Sequence, residues 1–192
     1  MKYTRDDDHE KSIEAYTKSL KALPEFPDSL RLRAEAYLSL GKDAETVSDF
    51  TEYLKYGTPL GDVYRPRGLA YKELGQDRKA QNDYTRSLEL EPEKANILTR
   101  RGWAYMLDAA KLAKEDFEDA VKINPENPDA YNGRGYAKVM LGDFQGAIND
   151  ANEAVKWARK QAEAKFPGAW HRSSTQPPFM RKRLIEFTMN PD

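Results

Sequence analysis

Residues 61–94 read GDVYRPRGLAYKELGQDRKAQNDYTRSLELEPEK, and this stretch decides the fold. Its first half places Val63, Tyr64, Arg67, Gly68, Tyr71 and Leu74 at i, i+3/i+4, i+7 spacing, the period of a helix with one buried face. Gly75 ends that helix, because glycine alone enters the left-handed region without steric cost. Asp77 is expected to cap the next helix, its carboxylate accepting from exposed backbone N–H groups. That helix carries Ala80, Tyr84, Ser87 and Leu88 on one stripe, and Pro92 closes it. The spacing predicts two antiparallel helices joined by a tight turn.

The same pattern recurs along the chain. Arg33, Arg67, Arg101 and Arg134 lie 34, 34 and 33 residues apart, each followed by a small residue: Ala34, Gly68, Gly102, Gly135. Tyr16, Phe50, Tyr84 and Phe117 keep the same spacing, and Pro24, Pro92 and Pro125 close their units, with Thr58 in the remaining place. A period of this length marks an array in which each unit buries its apolar face only against its neighbours. Glycine in mid-helix costs about 0.5–1 kcal/mol relative to alanine. A small residue at one recurring place therefore predicts a second helix crossing closely there, and Ala80, Ala113 and Ala147 play the same part on the second helices.

These positions together resemble the tetratricopeptide repeat, over roughly residues 1 to 158. The resemblance implies an all-α fold, a right-handed α-solenoid of helix–turn–helix hairpins whose first helices line a concave groove. It implies a partial N-terminal repeat over 1–26, contributing mainly its second helix. Full repeats follow over 27–60, 61–94, 95–127 (one residue short) and 128–165, the last with an extended helix. A tail outside the repeat occupies 166–192, with a short amphipathic helix expected at 179–189. The chain opens in mid-unit, since Tyr3 is in phase with Tyr37, Tyr71 and Tyr105, so a fragment or a trimmed start is expected. Two further departures stand out. The third unit lacks the inter-helix glycine, reading Leu107-Asp108-Ala109-Ala110, and Thr46 and Tyr53 replace small residues in the first.

Each repeating arginine is followed at fixed distance by an aspartate. Arg33 with Asp49, Arg67 with Asp83 and Arg134 with Asp150 are sixteen apart; Arg101 with Asp116 is fifteen, in the shortened unit. The offset joins the middle of one helix to the middle of its partner, so a bidentate brace within each hairpin is expected. A basic stripe for an acidic ligand is the competing function for the same residues.

Phasing by the repeat places one stripe of each first helix on the groove: Arg31 and Glu35 with Leu38; Arg65, Leu69 and Lys72; Thr99, Trp103 and Met106; Asn132, Tyr136 and Val139. One end of the groove is then charged and the other apolar, suited to side chains of an extended peptide or a partner helix. Trp103 and Tyr136 have a second reading, in which they pack between adjacent helices. Some members of the family clamp the C-terminal carboxylate of heat-shock chaperones with lysines and asparagines. Here the corresponding places hold Arg31 with Glu35, Pro66 and Arg100, and Glu35 would repel such a carboxylate.

Composition bounds the remaining classes. Charged residues make up 33%, above the roughly 25% usual for soluble domains, as suits an elongated shape with much surface. The net charge of −1 supplies no global field for nucleic acid. It is unevenly spread: Lys156 to Arg183 carry eight basic residues against Glu163, or +7, leaving −8 for the rest, with Asp6, Asp7, Asp8 and Glu10 near the start. There is no cysteine, so neither disulfide nor thiolate chemistry arises. No apolar run approaches bilayer length and no signal peptide opens the chain, so a soluble, cytoplasmic protein is the default expectation.

Both histidines, His9 and His171, lie in polar stretches, and there is no phosphate loop or nucleophile motif. The expectation is a non-enzymatic protein–protein interaction scaffold that takes a peptide or partner helix in its groove, with no cofactor and no metal. An RNA- or anionic-ligand-binding array is the alternative, motivated by Arg31, Arg65 and the basic end. For the tail, three roles are open: packing on the last repeat, lying in the apolar groove, or meeting the acidic start of another copy in self-association.

Overall fold

Tight turns between helices follow from the recurring glycine. A computed structural model describes residues 2–92 and 94–166, their side chains from Asp8 onward. Among the described residues there are nine α-helices and no strand. In chain order they are α1 (Lys2–Ala22), α2 (Pro27–Ser39), α3 (Asp43–Tyr56), α4 (Gly61–Glu73), α5 (Asp77–Leu90), α6 (Ala95–Tyr105), α7 (Ala110–Ile123), α8 (Pro128–Met140) and α9 (Phe144–Lys165). Gly41, Gly75 and Gly142 turn the first, second and fourth hairpins with φ of 68°, 69° and 82°. The third hairpin, without a glycine, turns through Leu107–Ala109 after a first helix of only 11 residues.

Asp77 does not cap α5. It is the first residue of that helix, and its carboxylate accepts from Lys72 Nζ at 2.7 Å instead. The lysine at the end of α4 competes for the carboxylate and ties the turn from the other side. Asn127 and Asp143 do cap, accepting from N–H groups at the starts of α8 and α9.

The packing is that of an all-α solenoid. Each helix touches its chain neighbour, and α2 also touches α4, α4 touches α6 and α6 touches α8. Among the described residues no two of α1, α3, α5, α7 and α9 touch each other. The first helices of the hairpins therefore crowd together on the inner side of the curve, and the second helices splay on the outer side. The recurring aromatics Phe50, Tyr84 and Phe117 are fully buried at the joints between hairpins. A Cβ at Gly68 would press on Tyr84, and one at Gly102 or Gly133 on Phe117, which explains the small residues at these places.

α9 runs for 22 residues where α3, α5 and α7 have 14. Its extra turns reach back along the array: Lys160 Nζ lies 2.8 Å from Glu126 Oε1, and Gln161 Nε2 donates to the Glu126 carbonyl at 2.8 Å. The expected helix at 179–189 and every role considered for the tail beyond Phe166 lie outside the described residues.

Candidate functional site: the inner face and its arginine braces

Each predicted brace forms, and each is bidentate. Arg33 donates from Nε and Nη2 to the two carboxylate oxygens of Asp49 at 2.6 and 2.8 Å. Arg67 meets Asp83 at 2.7 and 2.7 Å, Arg101 meets Asp116 at 2.8 and 2.6 Å, and Arg134 meets Asp150 at 2.9 and 2.6 Å. The aspartates are buried and the arginines partly so, so these pairs hold hairpins in register rather than greet a ligand.

A partner went unnoticed in the sequence. The spare Nη1 of Arg33, Arg67 and Arg101 donates to Thr17, Thr51 and Thr85 at 3.1, 3.2 and 3.2 Å. Each threonine sits on the second helix of the preceding hairpin, directly after the recurring aromatic. The arginine thus braces its own hairpin and ties it to the one before. Its signal was legible: Thr17, Thr51 and Thr85 also repeat at 34 residues.

The braces differ in electrostatics. Burial pushes the Asp83 and Asp116 carboxyls above the usual range, outweighing the hydrogen bonds and charge of Arg67 and Arg101. Burial also pulls Asp150 upward, yet its carboxyl ends below the usual value, because Arg134 and Lys138 both bond to it. Lys138 Nζ lies 2.8 Å from Asp150 Oδ2. A depressed carboxylate stabilises the fold fully above its unfolded value of about 4, and this contribution is lost as pH falls through the lower folded value. Lys138→Met should therefore destabilise the protein at neutral pH. The gap to the parent protein in urea midpoint should close as pH drops below about 4. A gap that persists unchanged at low pH would remove Asp150 as its cause.

The expected groove residues divide into three groups. Arg65 and Leu69 do come together, with Leu38, Pro66, Asn96 and Arg100, around a hollow of about 210 Å³ between α2, α4 and α6. Arg31, Glu35 and Lys72 lie on the same helices but engage one another or nearby acids: Arg31 bonds Glu35 at 2.6 Å, and Lys72 bonds Asp77. Arg65 is likewise paired with Asp62, at 2.6 Å.

Thr99 and Met106 leave the set. Each is only 7% exposed. Thr99 donates to the Ala95 carbonyl within α6, and Met106 packs with Ala113, Phe117 and Ala137. Trp103 lies between them in function as in sequence: its ring meets Phe117 edge-on at 5.4 Å and Tyr136 at 5.9 Å, so it wedges α6 against α7 and α8. Ile97 and Leu98 stand in phase with Val63 and Tyr64, so α6 keeps the repeat register; the hollow is lined there by Asn96 and Arg100, the counterparts of Asp62 and Pro66.

Asn132, Tyr136 and Val139 are exposed, but on a separate hollow of about 180 Å³ shared with Gly135, Ala147 and Ala151 of the last hairpin. They are not continuous with the Arg65–Leu69 hollow.

Among the described residues no group of three acidic, histidine or cysteine side chains could hold a metal ion, and no helix is long and apolar enough to cross a membrane.

Comparison with known proteins matches this architecture. Residues 110–167 and 67–94 each fit a family model described as tetratricopeptide repeat. No curated protein matches the chain. Among solved structures, MamA superposes with a TM-score of 0.77 at 23% identity, over 84% of this chain and 95% of that one. A MamA structure spanning residue 41 to the end, from Desulfovibrio magneticus RS-1, gives 0.74 at 19%, over 80% and 87%. YrrB, described as a TPR protein with an unusual peptide-binding site, gives 0.74 at 18%, over 79% and 78%. At such identities the likeness speaks for the fold alone. With the recurring positions, the stacked hairpins and both family matches in agreement, this chain belongs to the tetratricopeptide-repeat family.

Proposed function

We propose that the protein is a non-enzymatic interaction scaffold that receives a peptide or a partner helix on its inner face. One observation carries this: the inner helices α2, α4 and α6 leave an open hollow in which apolar Leu38, Pro66 and Leu69 stand beside Arg65, Asn96 and Arg100. Apolar walls supply contact area, while a few polar groups fix the direction of an extended chain. Similarity in fold to YrrB, a TPR protein described with an unusual peptide-binding site, supports the same reading.

A polypeptide fits this face better than a nucleic acid. Arg31, Arg65 and Lys72 each already face a carboxylate of the chain, so the stripe has little net positive charge to offer phosphates. Selection from a displayed random-peptide library, followed by calorimetric titration of the selected peptides, tests the proposal. Leu69→Asp and Arg100→Glu should each weaken binding by about tenfold, about 1.4 kcal/mol, while thermal unfolding stays unchanged. Selected peptides whose affinity ignores both substitutions would overturn the site. Binding that collapses steeply with added salt would favour an anionic ligand.

A further inference from the structure

Each joint between hairpins is filled by the aromatic of the preceding second helix: Phe50, Tyr84 and Phe117. In the last hairpin the same place, 34 residues after Phe117, holds Ala151, and a hollow of about 180 Å³ lies there against α8 and α9. In and beside it Tyr136, Val139, Met140, Phe144, Ile148 and Val155 are each between 48% and 68% exposed. By repeat register three of them match residues packed one hairpin earlier: Tyr136 matches Trp103, Val139 matches Met106 and Val155 matches Val121. Elsewhere large exposed apolar side chains stand in ones and twos at helix ends. Helix α1, at the other end of the array, has none among its described side chains.

The charge of this face suits a second copy of itself. A third of the chain is charged, yet the polar residues exposed beside the apolar ones are Asn132, Gln145 and Asn152, all neutral. Arg134, Lys138 and Asp150 are engaged with one another. A two-fold contact sets a surface against its own copy, so a face of one charge repels itself and a neutral face does not.

Its shape suits a second copy as well. Helix α9 carries Phe144, Ile148, Ala151, Val155, Ala158 and Ala162 at alternating spacings of four and three, the apolar seam of paired helices. Bulk stands at the start of the seam and small residues at its end. Set antiparallel on its copy about Glu153, the seam pairs large with small throughout: Phe144 with Ala162, Ile148 with Ala158, Val155 with Ala151. Val155 of each copy then enters the hollow beside Ala151 of the other. A parallel pair would set phenylalanine against phenylalanine and alanine against alanine, leaving gaps that close packing does not tolerate. The length of α9 fits this use. The turns by which it exceeds α3, α5 and α7 direct Lys160 and Gln161 toward Glu126 and add Ala158 and Ala162 to the seam. The exposed parts of the six large side chains come to about 600 Å² on each copy, or about 1,200 Å² between two, enough for a specific interface.

We propose that the chain forms a two-fold dimer through α8 and α9, with the two α9 helices antiparallel and crossing beside Asn152. This pairing is independent of what the hollow between α2, α4 and α6 binds.

Sedimentation equilibrium of the full chain at tens of micromolar should give twice the chain mass of 22.0 kDa. Salt at about 1 M should leave that mass unchanged, because the seam carries no charge. Ile148→Lys should weaken pairing about a hundredfold or more while helix content stays that of the parent, since Ile148 is exposed in the single chain. Leu107→Lys, at an exposed apolar residue on the third turn, should leave the mass as it is. The chain has no cysteine, so single introduced ones report without interference. Asn152→Cys, beside its own copy, should link two chains about tenfold faster than Gln145→Cys, which lies far from its copy. A parent that stays monomeric would overturn the pairing and leave the face to another segment of the chain or another protein. A mass that falls with salt, or one that climbs past two copies, would overturn it too. A dimer indifferent to Ile148→Lys would lie on a different face, and equal linking rates would overturn the antiparallel seam.

Discussion

Phe117→Ala should cost about 3–5 kcal/mol and should be the most damaging single truncation in the array. The ring is fully buried, meets Trp103 edge-on, and lies against Gly102 of its own hairpin and Gly133 of the next. No neighbouring side chain can swing into the space, since two of its walls are glycine backbone. The cavity therefore stays open, and its full cost is felt. Because each unit of such an array is coupled only to its neighbours, the loss falls on the joint between the third and fourth hairpins. Urea unfolding followed by circular dichroism should show a lower midpoint and a broader transition, as α8 and α9 melt ahead of the rest. Hydrogen exchange should place the early loss of protection in 128–165. A uniform loss across all helices, with an unbroadened transition, would mean the joint is not the unit of cooperativity.

The same ring shows what the sequence could and could not convey. A period of 34 residues is robust because the joint imposes it: an aromatic, a facing small residue and a turn must recur together or the hairpins cannot stack. Helix order and the four Arg–Asp braces were legible for that reason. The inner face was harder to phase, because nothing there repeats. Glu35, Leu69 and Trp103 occupy equivalent places with different surroundings, and whether such a residue faces solvent depends on the next hairpin. Val139 is exposed and Met106 buried although they are equivalent, since α8 covers the one and no described helix covers the other. Asn96 and Arg100 are the counterparts of Asp62 and Pro66, places outside the Arg65–Leu69–Lys72 stripe. From the sequence Arg100 enters only as a carboxylate-clamp position, and Asn96 not at all. The cap expected of Asp77 failed for a different reason: a lysine from the preceding helix offers its carboxylate a charged partner, worth more than a backbone N–H at an exposed turn.

Asp116→Ala should cost about 2–3 kcal/mol, the lower part of the range for a broken buried pair because Arg101 keeps some contact with water. The substitution leaves Nε and Nη2 of Arg101 without acceptors inside a joint that also holds Thr85. The double variant Arg101→Met with Asp116→Leu should be less damaged than the single one, by about 1 kcal/mol or more, since it removes the stranded charge together with its partner. The upward push that burial exerts on the Asp116 carboxyl points the same way: desolvation already offsets much of what the arginine contributes. The worth of the brace then lies in register. The double variant should keep its helix content but lose the cooperative link to α5 that Arg101 makes through Thr85, visible as faster hydrogen exchange at the α5–α6 joint. If single and double variants are equally unstable in urea, the pair is a source of net stability, and its role in holding neighbouring hairpins in register loses its main support.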